Sequence, residues 1–295
     1  MPENESAALT GLDTLNQPQN DDCDFAIQFW GVRGRIPTPG KETLRYGGNT
    51  SCVQIRVGGQ QLIFDGGTGL RQLGSHLLKE MPIKASIFFT HCYWDRIQGF
   101  PFFIPAFIPA NQFSIYGTAA SNGSSFKQRL YEQMLHPNFP VPIQVMQSEL
   151  QFYSIEPNEV ESLGNVIVET CFLNYAHRSV GYRITYKGKS VVYATDTTES
   201  SDEQLNADFG HLARQADLLI LDASSSTPTL GLPATSHPVP WQRSVEIAKE
   251  VGVKRLVMSI YDPDHSDEFL DELQQKVQSL FPNTIFAHEG LIIPL

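Results

Sequence analysis

Short runs of apolar and β-branched residues recur along the chain, bounded by glycine, asparagine and other polar residues. Runs of this length between turn residues are typical of β-strands. The pattern predicts twelve strands: Ala26–Trp30, Cys52–Val57, Gln61–Phe64, Ser86–Thr90, Phe113–Tyr116, Val166–Phe172, Val180–Tyr186, Ser190–Ala194, Leu218–Leu221, Arg255–Ser259, Thr284–Ala287 and Leu291–Ile293.

Apolar residues recur at helical spacing in four other segments. The first begins at Thr68, which we expect to cap it, and ends near Lys79. The other three are Ser124–Leu135, Trp241–Val251 and Asp267–Leu280. Strands grouped together, and then strands with helices between them, indicate layered sheets covered by helices. The expected fold class is α/β (α+β).

Residues 1–24 differ from the rest of the chain because they are polar and acidic and contain no Lys or Arg. They contribute −6 to the formal net charge of −11. We expect a disordered acidic tail over 1–24, followed by a single domain over 25–295. The net acidity argues against nonspecific binding of nucleic acid, because the field of the protein repels phosphates.

The remaining composition bears on location and partners. No apolar run approaches the roughly 18–20 residues that cross a bilayer, and the N-terminus lacks the pattern of a secretory signal. Four cysteines are scattered without a C-x-x-C pair, which favours free thiols in a reducing compartment. We expect a cytoplasmic protein without membrane contact. The apolar loop Phe100–Pro109 is either a pocket wall or an interface, so a homodimer stays possible.

Candidate chemistry follows the apolar strand Ser86–Thr90, which runs directly into the residues HCYWDR at 91–96. Ionisable side chains at the end of a buried strand are typical of catalytic sites in α/β proteins. Alternation along the chain places His91, Tyr93 and Asp95 on one side. This segment is therefore the first candidate for a functional site.

Seven blocks of the chain resemble blocks of a known protein family and occur in the same order as in that family. They are FWGVRGRIPTPG (29–40), RYGGNTSC (45–52), FDGGTGLRQLG (64–74), THCYWDRIQGFPFF (90–103), GYRITYKGKSVVYATDT (181–197), ADLLILDAS (216–224) and GVKRLVMSIYDPDHSD (252–267). Together they resemble the metallo-β-lactamase fold superfamily, in its hydrolase and phosphodiesterase-like branch related to ribonuclease Z. The resemblance implies a four-layer αββα sandwich, with two mixed β-sheets flanked by helices.

The chain departs from that family's signature, His-x-His-x-Asp-His, which supplies ligands for two metal ions. His91 and Asp95 are kept, but Tyr93 and Arg96 stand where the signature has histidines. The resemblance further implies that Asp196 is the aspartate that bridges the metals. The metal-binding motif is therefore expected to be degenerate, and the resemblance implies two more histidine replacements, at Tyr175 and Tyr261.

The retained set of His91, Asp95 and Asp196 is too small for two metal sites, because zinc needs about four donors. Tyrosine is a poor zinc ligand at neutral pH, since its pKa is about 10. We expect Arg96 to stand in for a metal and to pair with Asp95, Asp196 or both. The resemblance also places Asp65 beneath the site and His237 near the pocket. His177 is either a substitute ligand or an exposed loop residue.

These departures favour a protein that has lost the binuclear zinc site and serves as a binding, scaffold or regulatory protein. Its partner would be an unknown protein or a small anionic ligand, with no metal and no residue confidently catalytic. One alternative is a metal-dependent hydrolase or phosphodiesterase with an altered or mononuclear site of zinc or manganese. Another is a ferric ion bound with help from tyrosine phenolates. Metal analysis separates the three.

Overall fold

A computed structural model describes residues 24–120, 122–156, 158–174, 178–197, 203–224 and 240–295. The tail expected over 1–24 lies outside this part of the chain except for Asp24. The Asp24 carboxylate accepts hydrogen bonds from Tyr186 and Lys187, each at 2.7 Å. Three candidate site residues, namely Tyr175, His177 and His237, also lie outside the described residues.

The described residues form fourteen strands. Their bounds are β1 (Phe25–Gly31), β2 (Cys52–Val57), β3 (Gln60–Phe64), β4 (Lys84–Phe88), β5 (Gln112–Gly117), β6 (Glu149–Ser154), β7 (Val160–Leu163), β8 (Val166–Asn174), β9 (Ser179–Tyr186), β10 (Lys189–Tyr193), β11 (Leu218–Asp222), β12 (Leu256–Ser259), β13 (Thr284–Phe286) and β14 (Ile292–Pro294). They build two seven-stranded sheets, ordered β14-β1-β2-β3-β4-β5-β6 and β13-β12-β11-β10-β9-β8-β7.

Both sheets are mixed. In the first, β3, β4, β5 and β6 run parallel, whereas β14, β1, β2 and β3 pair antiparallel. In the second, β10, β11, β12 and β13 run parallel, whereas β7, β8, β9 and β10 pair antiparallel. A large apolar core joins the two sheets, with Ile55 and Phe64 from the first and Tyr182 and Val192 from the second.

Six α-helices lie in the described residues. They are α1 (Gly69–Leu77), α2 (Trp94–Ile97), α3 (Phe126–Gln133), α4 (Glu203–Ala213), α5 (Trp241–Glu250) and α6 (Asp267–Leu280). Helices α1 and α3 share a second apolar cluster with the first sheet, and α4, α5 and α6 contact the second sheet. The predicted fold, two mixed sheets flanked by helices, is confirmed. None of the described helices is long and apolar enough to cross a membrane.

Four of these strands and helices were not predicted, and one of them is the short helix α2. Strands β6 and β7 lie at the ends of their sheets and have mostly exposed residues, so they lack an apolar run. Helix α4 has a largely polar sequence. The capping role expected for Thr68 is also wrong in detail. Its side chain makes no cap hydrogen bond, and its hydroxyl instead accepts the N–H of Thr50 at 2.9 Å.

Candidate active site

The candidate site lies where strands of both sheets end. Asp65 directly follows β3 and His91 comes shortly after β4 in the first sheet, whereas Asp196 comes shortly after β10 and Asp222 ends β11 in the second. Each pair of strands is parallel, so their carboxyl ends meet at the same edge of the sheet. Crevices at such edges are where open α/β sheets bind ligands.

The guanidinium of Arg96 is at the centre of this site and is fully buried. Nη1 lies 3.0 Å from Oδ2 of Asp65, and Nε lies 3.3 Å from Oδ2 of Asp95. Nη2 donates to Oδ2 of Asp196. The predicted pairing of Arg96 with Asp95 and Asp196 is therefore present in the structure, and Asp65 is a third partner.

Asp65 is fully buried beneath Arg96 and is held by several donors. Its Oδ1 accepts the N–H and the hydroxyl of Thr90, both at 2.9 Å, and its Oδ2 accepts the hydroxyl of Tyr193 at 2.8 Å. Burial raises the pKa of Asp65, and the charge of Arg96 opposes that rise. Thr90 and Tyr193 were missed in the sequence because they read as ordinary strand residues.

The charge of Arg96 is permanent. Burial by itself would lower the pKa of Arg96, but the carboxylates of Asp196, Asp65 and Asp95 outweigh it and raise the pKa well above its ordinary value. Asp95 is in turn fixed by the backbone N–H of Arg35, which donates to it at 3.1 Å. One buried cation thus orders three carboxylates.

Tyr93 and Asp196 form the mouth of the site, and His91 lies buried beside them. Nδ1 of His91 lies 3.0 Å from the Thr90 hydroxyl and 3.9 Å from Oδ2 of Asp196. The rings of His91 and Tyr93 meet edge to face, with 4.7 Å between centroids. Burial, and then the charge of Asp196, raise the pKa of Tyr93, so its hydroxyl keeps its proton at neutral pH.

Asp196 is held from the backbone side as well. Its N–H donates to Oδ2 of Asp222 at 2.5 Å. Asp222 is fully buried, and burial followed by the nearby charge of Asp196 raises its pKa. Arg35, Asp65 and Asp196 all have a left-handed backbone, with φ between 60° and 65°. Non-glycine residues in this region carry strain, and such residues cluster at functional sites.

Tyr261, expected at a former ligand position, does not reach the site. Its hydroxyl donates to the carbonyls of Met258 and Ala287, at 3.0 and 2.7 Å, and its ring stacks on Phe286 in the core. Burial of the Tyr261 ring in the core is favourable, because two backbone carbonyls satisfy the hydrogen bonding of its hydroxyl. The neighbouring residue Asp262 approaches the site instead, and its Oδ1 lies 3.7 Å from Nη2 of Arg35.

His265 supports Asp262 from behind. Its Nε2 lies 3.6 Å from Oδ2 of Asp262, and its ring stacks on Phe269. Burial lowers the pKa of His265. The charges of Arg33 and Arg35 also lower this pKa, whereas those of Asp262 and Asp264 raise it. The folded protein therefore keeps this imidazole neutral at a pH where the unfolded chain has begun to protonate it.

We expect the free energy of unfolding to fall as the pH drops from about 7 to 5, because the unfolded chain then binds a proton that the folded state refuses near the ordinary histidine pKa of about 6.5. Urea unfolding of the wild type and of His265→Gln at both pH values isolates this contribution. The wild type should lose more stability than the variant on acidification. Equal losses would contradict the lowered pKa.

A binuclear metal centre would need a cluster of metal-binding side chains at this site. Among the described residues, no group of three or more His, Cys, Asp or Glu side chains is arranged to hold a metal ion. The carboxylates of Asp65, Asp95 and Asp196 are all engaged by Arg96. This part of the chain does not fit two metal ions, since a metal would have to displace the guanidinium.

The comparison with known families identifies the superfamily of the chain. The family described as "Beta-lactamase superfamily domain" matches residues 60–259, which is more than half of the chain. The chain belongs to this family. The chain is also similar to curated proteins named ribonuclease Z. It is 22% identical to that of Archaeoglobus fulgidus over 302 residues, covering 90% of this chain and 96% of the relative.

A second relative is the ribonuclease Z of Methanosarcina acetivorans, which is 24% identical over 312 residues and spans 89% of this chain and 95% of its own. Solved structures share the fold at lower identity. The short form of human tRNase Z has a TM-score of 0.63 at 17% identity, and covers 91% of this chain and 98% of its own. A diphosphatase of the PhnP family has a TM-score of 0.66 at 16% identity, and covers 92% of this chain and 98% of its own.

These similarities overturn one expectation. The interpretation of the chain as a binding, scaffold or regulatory protein that has lost hydrolase function is wrong. Relatives matched along almost the whole chain are named as nucleases, and structural neighbours are named tRNase Z and diphosphatase. The reason for the error is physical. Departures from the metal-ligand signature do not by themselves argue against hydrolysis, because a buried arginine can also supply positive charge.

Proposed function

We propose that the chain is a hydrolase of phosphate esters and that it acts on phosphodiester bonds. The observation that carries this proposal is the similarity to ribonuclease Z over 90% of the chain. The cluster of His91, Tyr93 and Asp196 supports it, since these groups can donate and accept protons.

Asp196 is the proposed general base. Its side chain is 26% exposed, whereas Arg96 is fully buried behind it. Arg96 binds Oδ2 of Asp196, which leaves Oδ1 to accept a proton from water. As that proton moves to Asp196, the water oxygen forms a bond to phosphorus. The ester P–O bond to the leaving group then breaks.

His91 and Tyr93 complete the proposed chemistry. The leaving oxygen needs a proton, and His91 is placed to provide it because its ring lies between Tyr93 and Asp196. The protonated hydroxyl of Tyr93 is a hydrogen-bond donor for a non-bridging phosphoryl oxygen. In this proposal Arg96 holds the carboxylates of Asp65, Asp95 and Asp196 in place, and no step depends on a bound metal.

The charge of the chain favours a small substrate. With a net charge of −11, long nucleic acids are repelled, whereas a small phosphodiester presents only one charge. We therefore propose a small anionic ligand as the partner of this site.

We also propose a cytoplasmic location, since Cys52, Cys92 and Cys171 are free thiols.

A panel of chromogenic esters tests the proposal. We expect the purified protein to hydrolyse a bis-aryl phosphodiester faster than the matched aryl phosphomonoester and the matched aryl carboxylic ester. A phosphomonoester carries two negative charges. The charge of Arg96 is already neutralised by carboxylates, so the site has no free positive charge to offset a doubly charged monoester. Absence of any phosphodiester hydrolysis above the buffer rate would contradict the proposed function.

A further inference from the structure

A cavity of about 600 Å³ lies beside the candidate active site. This volume is within the range of pockets that hold small molecules, roughly 300–1,000 Å³. Three large apolar side chains line it and are unusually exposed, namely Leu44 (76%), Trp94 (75%) and Phe102 (54%). Contiguous exposed apolar surface of this kind marks a binding site for a ligand that covers it.

The cavity and the site share two chain segments. Trp94 begins helix α2, and the next two residues, Asp95 and Arg96, belong to the buried cluster. The N–H of Arg35 is bound to Asp95, and Pro37, two residues further on, lines the cavity. The two residues from Arg35 to Pro37 span at most about 7 Å. The distance between the cavity and Asp95 is therefore short enough for one small molecule to reach both.

Arg71 gives the cavity a positive charge. It lies on α1 at the cavity wall, and its side chain is exposed. Within the described ranges its guanidinium has no ion pair or side-chain hydrogen bond. The acidic residue of the same wall, Glu289, is engaged by the backbone N–H and the side chain of Asn49, at 2.7 and 2.9 Å. Arg71 is thus available for an anionic group.

We propose that this cavity binds a flat aromatic ring that carries an anionic group. The ring packs against Trp94 and Phe102, because aromatic faces stack favourably on each other. The anion pairs with Arg71, whose planar guanidinium suits a phosphate or carboxylate. This inference rests on the proposed function only in assigning the ring and its anionic group to a substituent of the phosphodiester, so that the substrate carries one charge on the diester and a second charge at Arg71. The ring has two possible sources, a nucleobase or a simple aryl ester.

Calorimetric titration without turnover tests the site. The probes are adenosine 5′-monophosphate, phenyl phosphate and adenosine. We expect Trp94→Ala to weaken the binding of adenosine 5′-monophosphate about tenfold, and Trp94→Phe to keep it within threefold because the stacking face remains. We expect Arg71→Ala to weaken both phosphates but not adenosine. Both side chains are exposed, so the variants should unfold at the wild-type temperature.

The outcomes separate this inference from the proposed function. Tight binding of only adenosine 5′-monophosphate assigns the ring to a nucleobase, and equal binding of phenyl phosphate assigns it to an aryl group. Wild-type affinity in Trp94→Ala, or no binding of any probe, overturns the inference even if phosphodiesters are hydrolysed. Trp94-dependent binding without hydrolysis would instead remove only the proposed function and leave the aromatic site standing.

Discussion

Replacing Arg96 by methionine is expected to lower the free energy of unfolding by about 3–5 kcal/mol, which is the usual cost of removing one partner of a buried ion pair. The variant leaves the carboxylates of Asp65, Asp95 and Asp196 without their common cation. Arg96→Lys should recover only part of the loss, because one ammonium group cannot fork to three carboxylates. Urea unfolding followed by circular dichroism measures both variants.

Arg214→Met is the matched control, since Arg214 is exposed on the surface. It should change the free energy of unfolding by less than about 0.5 kcal/mol. The deficit of Arg96→Met should also shrink as the pH falls, because the carboxylates then take up protons and no longer need a counter-charge. If Arg96→Met and Arg214→Met unfold at the same urea concentration, Arg96 does not organise the site.

Asp196→Asn is expected to lower kcat/KM for phosphodiester hydrolysis by about 10²–10⁴, the usual contribution of a general base. The amide keeps the shape of the side chain and an oxygen that accepts from Arg96, so folding should survive. We expect KM to change by less than about threefold, because the loss falls on the transition state. Steady-state kinetics with the chromogenic phosphodiester give both constants.

Asp208→Asn on helix α4 controls for charge, since its carboxylate accepts a surface hydrogen bond from Gln204 and lies outside the candidate site. This variant should retain the wild-type rate. Hydrolysis at the wild-type rate in Asp196→Asn would show that the activity arises at another site or in a contaminant. The base assigned to the candidate site would then be wrong.

Much of the fold could be predicted because apolar runs and turn residues report burial directly. The predicted strand Cys52–Val57 and the first turns of the helix after Thr68 agree with the structure. Strands β6 and β7 could not be predicted this way, since residues at a sheet edge need not be apolar. Strand β6 pairs with β5, which lies far away in the sequence, whereas β7 pairs with the next strand, β8.

The candidate site was predictable where a charge interrupted an apolar pattern. Arg96 stood out among aspartates, and its pairing followed from electrostatics. Asp222 carried a similar signal, a carboxylate at the end of a buried strand, and was overlooked. The side chain of Tyr261 lies in the core and that of Asp262 lies near Arg35, because sequence position alone does not tell which side chain turns into the core.

The central claim is that this superfamily member hydrolyses phosphodiesters with a charge centre built on Arg96 rather than on two metal ions. The most direct measurement is the rate of phosphodiester hydrolysis after exhaustive treatment with a chelator, with the residual metal content determined on the same sample. We expect a rate within twofold of the untreated protein at well under one metal ion per chain. A rate that falls to the buffer value and returns on addition of zinc would contradict it.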